Sequence, residues 1–402
     1  MKKIKKYFTI YLSVIALITN SCVEPYTIQK STFDNAIVIE ATITNELKHQ
    51  KIVVSTTSPI EVNEFLAESN ADVRIIDDFQ NTYFFEEVAP GKYFSINEFK
   101  AIADINYTLI VTTNNGKSYT SEPSRLTNIT KIDTVNASKE IDNFGNENIS
   151  ILVDSFDPTG NSKYYRYEYE ETYKIIAPYW SPYDLVVTLN TFPFGMEKVF
   201  KTKEEKTCYN TLNSNTIIQK ETKGFSEDRV SKFPVRVLSK ENTIISHRYS
   251  ILIKQYVQSF EAFTFYKTLN NISGSESLFS QNQPGYFNGN IFSVENSNEK
   301  VLGFFEVSSV SSKRIFFNFQ DFFPNEPLPP YFTECEPYAP TNRSDGGDPS
   351  DLFNEINSGR AKYYQNNLNI NFSNPGPYLV VIPKCGDCTH FGTNIKPDFW
   401  VE

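Results

Sequence analysis

Apolar residues recur at every second position over residues 36–44, which read AIVIEATIT. Ile37, Ile39 and Ile43 fall on one side and Glu40 and Thr42 on the other, a pattern that predicts a half-buried strand. Further short strands are predicted at 51–55, 71–76, 82–86, 92–96, 106–113 and 117–121. Short strands packed into roughly 90 residues predict an immunoglobulin-like β-sandwich over residues 36–122.

The dipeptide Asn115-Gly116 lies between two alternating runs and predicts a hairpin with a type I′ turn. Gly116-Lys117-Ser118 also resembles the end of a phosphate-binding loop. That loop needs a glycine where Val111 stands, so the hairpin interpretation is favoured.

A second β region follows a predicted linker at 123–135, and we expect residues 136–402 to form a larger β-sandwich or β-rich domain. Tyr165, Tyr167 and Tyr169 alternate with charged residues, which again predicts a strand. One short helix is expected at 259–271, with Ser259 as its N-cap. The segments 301–307 and 313–319 are interpreted as a hairpin. The fold class predicted from these patterns is therefore mainly β.

The first 22 residues carry a targeting pattern. Four lysines precede an apolar run from Tyr7 to Ile18, and a small residue, Ser21, precedes Cys22. The run is too short to span a bilayer, so residues 1–21 are predicted to be a cleaved lipoprotein signal, with Cys22 lipidated and 22–35 as a tether. The alternative is an ordinary secretory signal with a free cysteine, because Thr19 stands where such signals usually have leucine.

The amino-acid composition limits which classes of partner are expected. The formal net charge is −10, and no basic cluster occurs after the predicted signal, so nucleic acid is not an expected partner. The chain is rich in Phe and Tyr and poor in Gly, which favours strands.

Four cysteines remain if Cys22 carries lipid. Cys208, Cys335, Cys385 and Cys388 are disulfide candidates, since an even number in an exported chain suggests two bridges of unknown pairing. A redox role for Cys385-x-x-Cys388 and a four-cysteine zinc site are the alternatives.

Other chemical motifs give weaker signals. The three histidines have no partner at metal-ligand spacing, and no G-x-S-x-G motif occurs, so no catalytic residue, metal or cofactor is predicted. Asp345, Asp348 and Asp351 could hold Ca²⁺ but are better explained as a surface loop. The aromatic segment 316–323 is either a buried strand face or a docking surface for a partner.

Residues along nearly the whole chain after Cys22 resemble an uncharacterised family, a domain of unknown function found in Bacteroidetes outer-membrane lipoproteins. The resemblance rests on Ile37–Thr44, Pro90-Gly91-Lys92-Tyr93, Arg248-Tyr249-Ser250-Ile251, Val301-Leu302-Gly303-Phe304-Phe305, Cys385-Gly-Asp-Cys388-Thr389 and Lys396-Pro397-Asp398-Phe399-Trp400. The chain departs from the family pattern at Ala41-Thr42, where Gly-Trp is usual, and at Tyr209, where Trp is usual.

The resemblance implies a role beside TonB-dependent outer-membrane receptors. We expect a non-catalytic accessory protein, anchored by lipid in the outer membrane, that binds an unidentified ligand or docks on the receptor barrel. Glu24 resembles the acidic residues that direct such lipoproteins to the cell surface. A surface adhesin or envelope-assembly factor and a cell-envelope hydrolase or thiol oxidoreductase are the alternatives.

Overall fold

The chain is mainly β in a computed structural model that describes residues 36–58, 66–273, 289–344 and 347–402. Its strands are β1 (Ile37–Thr44), β2 (Lys51–Thr56), β3 (Leu66–Ala67), β4 (Asp72–Asp77), β5 (Thr82–Ala89), β6 (Lys92–Ser95), β7 (Asn106–Thr112), β8 (Ser118–Ser121), β9 (Ser124–Arg125), β10 (Ile132–Ile141), β11 (Glu147–Asp157), β12 (Tyr164–Ile176), β13 (Tyr183–Leu189), β14 (Gly195–Phe200), β15 (Thr207–Asn213), β16 (Ile218–Glu221), β17 (Asp228–Ser239), β18 (Arg248–Val257), β19 (Ile291–Ser293), β20 (Val301–Asn318), β21 (Lys362–Asn366) and β22 (Tyr378–Val381). Its helices are α1 (Phe260–Ser273), α2 (Phe319–Phe322), α3 (Asp351–Asn357) and α4 (Pro383–Gly386). The predicted mainly β class is confirmed, and the predicted helix corresponds to α1, while α2 to α4 are short helices that the sequence pattern does not indicate.

The N-terminal strands enclose one apolar core. They pair in the spatial order β1-β2-β6-β5-β4-β7-β8, and every strand predicted between residues 36 and 121 is present. Alternate side chains of these strands point inward and pack together, including Ile39, Ile52, Ile75, Leu109 and Val111. Successive side chains of a strand point to opposite faces, so burial of one face accounts for the apolar residue at every second position in the sequence.

Strand β20 belongs to both halves of the molecule. Its first part, up to Ser308, pairs in parallel with β1, and its second part, from Ser309 onward, pairs antiparallel with β18. The hairpin predicted at 301–319 is therefore wrong. The serine-rich stretch between its two segments stays extended because its polar groups find partners, as when Ser311 Oγ accepts a hydrogen bond from Ile132 N at 3.0 Å.

Gly303 allows β1 and β20 to approach closely. Its φ is +143°, and a Cβ atom built on it would lie 2.0 Å from the backbone oxygen of Ile39. Only glycine adopts this conformation and fits this space without displacing β1.

Residues from the later part of the chain complete the N-terminal core. Ile291 on β19 and Phe305 on β20 pack with the residues of β1 to β8. The side chain of Asn290 joins these two strands, because its Nδ2 donates to Phe305 O at 2.9 Å and its Oδ1 accepts from Phe305 N at 2.7 Å. The predicted domain at 36–122 therefore shares its core with residues near 290–307, and the predicted linker at 123–135 contains β9 and the start of β10.

The second half is a sandwich of two sheets. The sheet β10-β11-β17 faces the sheet β15-β12-β18-β20, which continues into the N-terminal sheet through β20. The core between them contains Ile151 and Val153 from β11 and the aromatic rings of Tyr165, Tyr167 and Tyr249. Tyrosine hydroxyls in this core find polar partners; Tyr167 Oη, for example, donates to Gln255 Oε1 at 3.0 Å.

A small third unit adjoins this sandwich, and two disulfides lie in this region. Cys208 pairs with Cys388 and Cys335 pairs with Cys385, so two bridges form as the cysteine count predicts. The unit consists of β13-β14, β21-β22 and α3 around a core that includes Leu185, Leu352, Ala361, Tyr363 and Val380. Cys385 and Cys388 belong to different bridges and do not pair with each other, and all four sulfur atoms are bonded in disulfides rather than available as zinc ligands.

The aromatic segment 316–323 is largely interior. Phe317, Phe319 and Phe323 are buried in the core of the second sandwich, and Phe322 packs against it. Phe316 contacts Trp400 of the C-terminal tail. The burial favours the buried-face interpretation of this segment.

Candidate functional site: a charged network on the outer face of the shared sheet

The outer face of the shared sheet carries charge where β12, β18, β20 and β1 lie side by side. On β12, Tyr165 and Tyr167 point into the core, so Arg166 and Glu168 point to the opposite face. The same alternation turns Glu306 of β20 outward, between the core residues Phe305 and Val307. One sheet therefore presents an apolar face to the cores and a polar face to the outside.

Helix α1 covers part of this polar face. Ser259 caps the helix as predicted, because its Oγ accepts a hydrogen bond from Ala262 N at 3.1 Å. Phe265 of the helix packs on Phe304 with ring centroids 5.5 Å apart, which fixes the helix against β20. The cover leaves Glu306 only 2% exposed and Arg166 only 7% exposed.

The buried charges form one hydrogen-bonded network. Arg166 Nη2 donates to Glu306 Oε2 at 3.1 Å, and Arg166 Nη1 donates to Glu168 Oε1. The other oxygen of Glu306 accepts from Gln258 Nε2 at 3.0 Å and from Ser308 Oγ at 2.6 Å. A buried charge is tolerated only when it is paired and hydrogen-bonded in this way.

Two tyrosines hold the guanidinium of Arg166 in place. Its Cζ lies 4.4 Å from the ring centroid of Tyr256 and 5.0 Å from that of Tyr266, both within cation–π range. Tyr256 Oη also donates to Glu168 Oε2 at 3.0 Å. The side chains of the network are therefore fixed before any ligand arrives.

The oppositely charged groups of the network shift one another's pKa values toward the ionised forms. Burial works against ionisation of Arg166, but Glu306 and Glu168 outweigh it and hold the pKa of the guanidinium above its ordinary value. Burial likewise opposes ionisation of Glu168, but Arg166 and the Tyr256 hydroxyl hold its pKa below the usual range. Burial raises the pKa of Tyr266 to about 12, so its hydroxyl stays neutral at physiological pH.

Acid should weaken the fold through Glu168. Because its pKa is lower in the folded chain than in the unfolded one, its contribution to stability is complete above the unfolded value of about 4.3 and is lost as pH falls through the folded value. We expect Glu168→Gln to reduce the loss of stability between neutral and acidic pH. Urea unfolding of both proteins at several pH values measures the free energy of unfolding. If it falls with acidification as steeply in the variant as in the unchanged chain, the prediction is contradicted.

Two adjoining cavities open beside the network. They have volumes of about 480 and 470 Å³ and share Glu40, Lys51, Arg166, Glu168 and Tyr266. The first extends past Lys254 and Glu170 to the loop at 213–217, and the second extends past His49 and Gln50. Both volumes lie in the range of small-molecule sites, which is roughly 300–1,000 Å³.

The lining suits a polar ligand. The carboxylates of Glu40, Glu168 and Glu170 accept hydrogen bonds, and they alternate with donor groups from lysine, arginine and amide side chains. Arg166 Nε is buried and has no hydrogen-bond partner among the described residues. Such a site can bind and orient a ligand through several hydrogen bonds.

The residues predicted from sequence lie elsewhere. Cys22 falls outside the described residues, and the four other cysteines form the bridges of the third unit. Asp345 also lies outside them, and no group of three or more His, Cys, Asp or Glu in the described part of the chain could hold a metal ion. None of the helices in that part is long and apolar enough to cross a membrane.

Sequence reasoning missed Arg166 and Glu306 as site residues. A signal for them exists, since a charged residue within an otherwise core-forming strand must face outward or be paired. The alternation at 165–170 shows the charged face, but nothing local shows that α1 covers it.

Fold and site together define a disulfide-bonded, mainly β protein with a polar cleft where the N-terminal strands meet the sandwich of the second half. Residues 23–314 match the family described as domain of unknown function (DUF4249), and the chain belongs to this family. A search of curated proteins finds no match to the chain.

Proposed function

We propose that the protein is a non-catalytic accessory protein of a TonB-dependent receptor, anchored in the outer membrane by lipid on Cys22. It captures a polar ligand in the cleft beside Arg166 and presents it to the receptor barrel. The lysine-rich start, the apolar run and Cys22 support the anchor. The family resemblance supports the outer membrane, and Glu24 supports the cell-surface location. The observation that carries the binding role is the pre-formed network, whose charged groups are already held in place around a cavity of ligand size.

Pre-formation matters because flexible charged side chains lose conformational freedom when they bind. Arg166 loses little, since Tyr256, Tyr266 and two carboxylates already fix it. A ligand that enters the cleft therefore gains hydrogen bonds without ordering the site, which favours affinity.

Co-purification from the native cells tests the partner. The tagged full-length chain, extracted in mild detergent, should bring down a TonB-dependent barrel and release a small polar molecule when it is denatured. Isolation of the chain without any barrel under these conditions would count against the receptor role.

Variants at the rim of the cleft test the site. Glu40 and Lys51 are exposed and line both cavities, so Glu40→Gln and Lys51→Met should leave the fold intact. Each is expected to lower the affinity for the released molecule about tenfold or more, the value of one hydrogen bond to a charged group. Lys92→Met, at an exposed position of β6 outside the cleft, is the matched control, and equal losses in all three variants would contradict the assignment.

A further inference from the structure

The loop between β21 and β22 exposes large apolar side chains to solvent. Leu368 and Ile370 are 90% and 64% exposed, and Phe372 is fully exposed. The side chains of Asn367 and Asn371 form hydrogen bonds to the backbone of the loop itself. A surface loop in water normally shows the opposite arrangement, with apolar side chains turned inward.

Asparagine side chains satisfy much of the loop's own backbone. Asn367 Nδ2 donates to the carbonyl oxygens of Asn374 and Gly376 at 3.0 and 2.8 Å. Asn371 Oδ1 accepts from the backbone N–H groups of Ser373 and Asn374, both at 2.9 Å. The loop is thus held in one conformation and needs less water to satisfy its peptide groups.

The loop is also anchored to the rest of the third unit. Asn374 Oδ1 accepts from Ala339 N at 3.0 Å, and Gly376 N donates to Ala339 O at 3.0 Å. The segment that carries Ala339 follows Cys335, which is bridged to Cys385. These hydrogen bonds therefore hold the loop, with its exposed apolar side chains, in a fixed position on the third unit.

Charge is absent from this part of an otherwise acidic chain. No charged residue occurs between Lys362 and Lys384. The neighbouring hairpin β13-β14, which shares the core of the third unit, has none between Asp184 and Glu197 and exposes Phe192 at its tip. Apolar side chains, internally bonded peptide groups and missing charge are the properties that a segment needs in lipid rather than in water.

We propose that Leu368, Ile370 and Phe372 form a membrane-contact tip that inserts into the interfacial region of a lipid bilayer. The tip supplies a second attachment to the membrane besides the predicted anchor at Cys22. Two linked contacts act with a high effective concentration, so a weak insertion suffices to orient the molecule on the membrane. The inference does not depend on ligand binding in the cleft.

A tryptophan reporter tests this tip. The full-length acylated chain with Phe372→Trp is reconstituted into phosphatidylcholine vesicles with and without bromine on the acyl chains. We expect its emission to shift to shorter wavelength and to be quenched by the brominated lipid, after subtraction of the signal of the unchanged chain. Because Phe372 is fully exposed, this substitution should leave the fold intact.

The matched control is Phe144→Trp. Phe144 is 91% exposed in the turn between β10 and β11, and its backbone N–H donates to Asp142 Oδ1, so it offers equal exposure in a charged setting. Its emission should stay at long wavelength and unquenched. If the Phe372→Trp emission matches that of the control, the lipid proposal is wrong; a tip made for a pocket in a partner protein would give this outcome.

Discussion

Replacing Arg166 by Leu is expected to lower the free energy of unfolding by about 3–5 kcal/mol, the usual cost of removing one partner from a buried ion pair. The loss arises because Glu306 is only 2% exposed and, among the described residues, would keep Gln258 and Ser308 as its hydrogen-bond partners. Urea unfolding of the purified variant measures the change.

Two further variants separate this cost from a general effect of charge removal. Arg74→Leu removes an exposed arginine that pairs with Asp72, and its effect should stay within about 1 kcal/mol. The double variant Arg166→Leu with Glu306→Leu should be more stable than the sum of the two single losses, because Glu306 no longer remains as a buried carboxylate without its arginine. Strictly additive losses would show that the two charges do not interact.

Removing the Cys208–Cys388 bridge should cost about 5 kcal/mol in the chain-entropy description of disulfides, because the cysteines are 180 residues apart. The bridge ties β15 of the second sandwich to the short helical segment after α4. Cys208→Ala with Cys388→Ala avoids a buried polar group at either position, and denaturant unfolding in the absence of reductant reports the difference.

The second bridge provides the comparison. Cys335 and Cys385 are 50 residues apart, so the same description gives a loss of about 4 kcal/mol for their double alanine variant. The loss of stability should be concentrated in the third unit, because the segments that carry Cys335 and Cys385 adjoin the core of that unit. A larger loss for this bridge than for the Cys208–Cys388 bridge would contradict the expected order.

Alternation predicted the strands well because each has one buried face. β1 and β7 show apolar residues at every second position, as does β12 from Tyr165 to Tyr169, and each strand is found where the pattern indicates. Turn chemistry was predicted less completely. The hairpin at Asn115-Gly116 is present, but Thr113 N donates to Lys117 O and Gly116 has φ +86°, so the loop is one residue longer than a type I′ turn requires.

Pairing between distant segments could not be predicted. β1 pairs with the first half of β20 although most of the chain lies between them, and local periodicity contains no information about such partners. The disulfide pairing was undetermined for the same reason. The same holds for Arg166 and Glu306, which become a site only when β12, β20 and α1 come together.

Hydrogen–deuterium exchange of the full-length chain tests the proposed ligand site most directly. The chain is compared with and without the small-molecule fraction that the protein itself releases when it is purified from its native cells and denatured. Slower exchange near Lys51, along Arg166–Glu170 and in the loop at 213–217 is the predicted result, because these segments line the cleft. Unchanged exchange in all three segments, with protection appearing only elsewhere in the chain, would contradict the account.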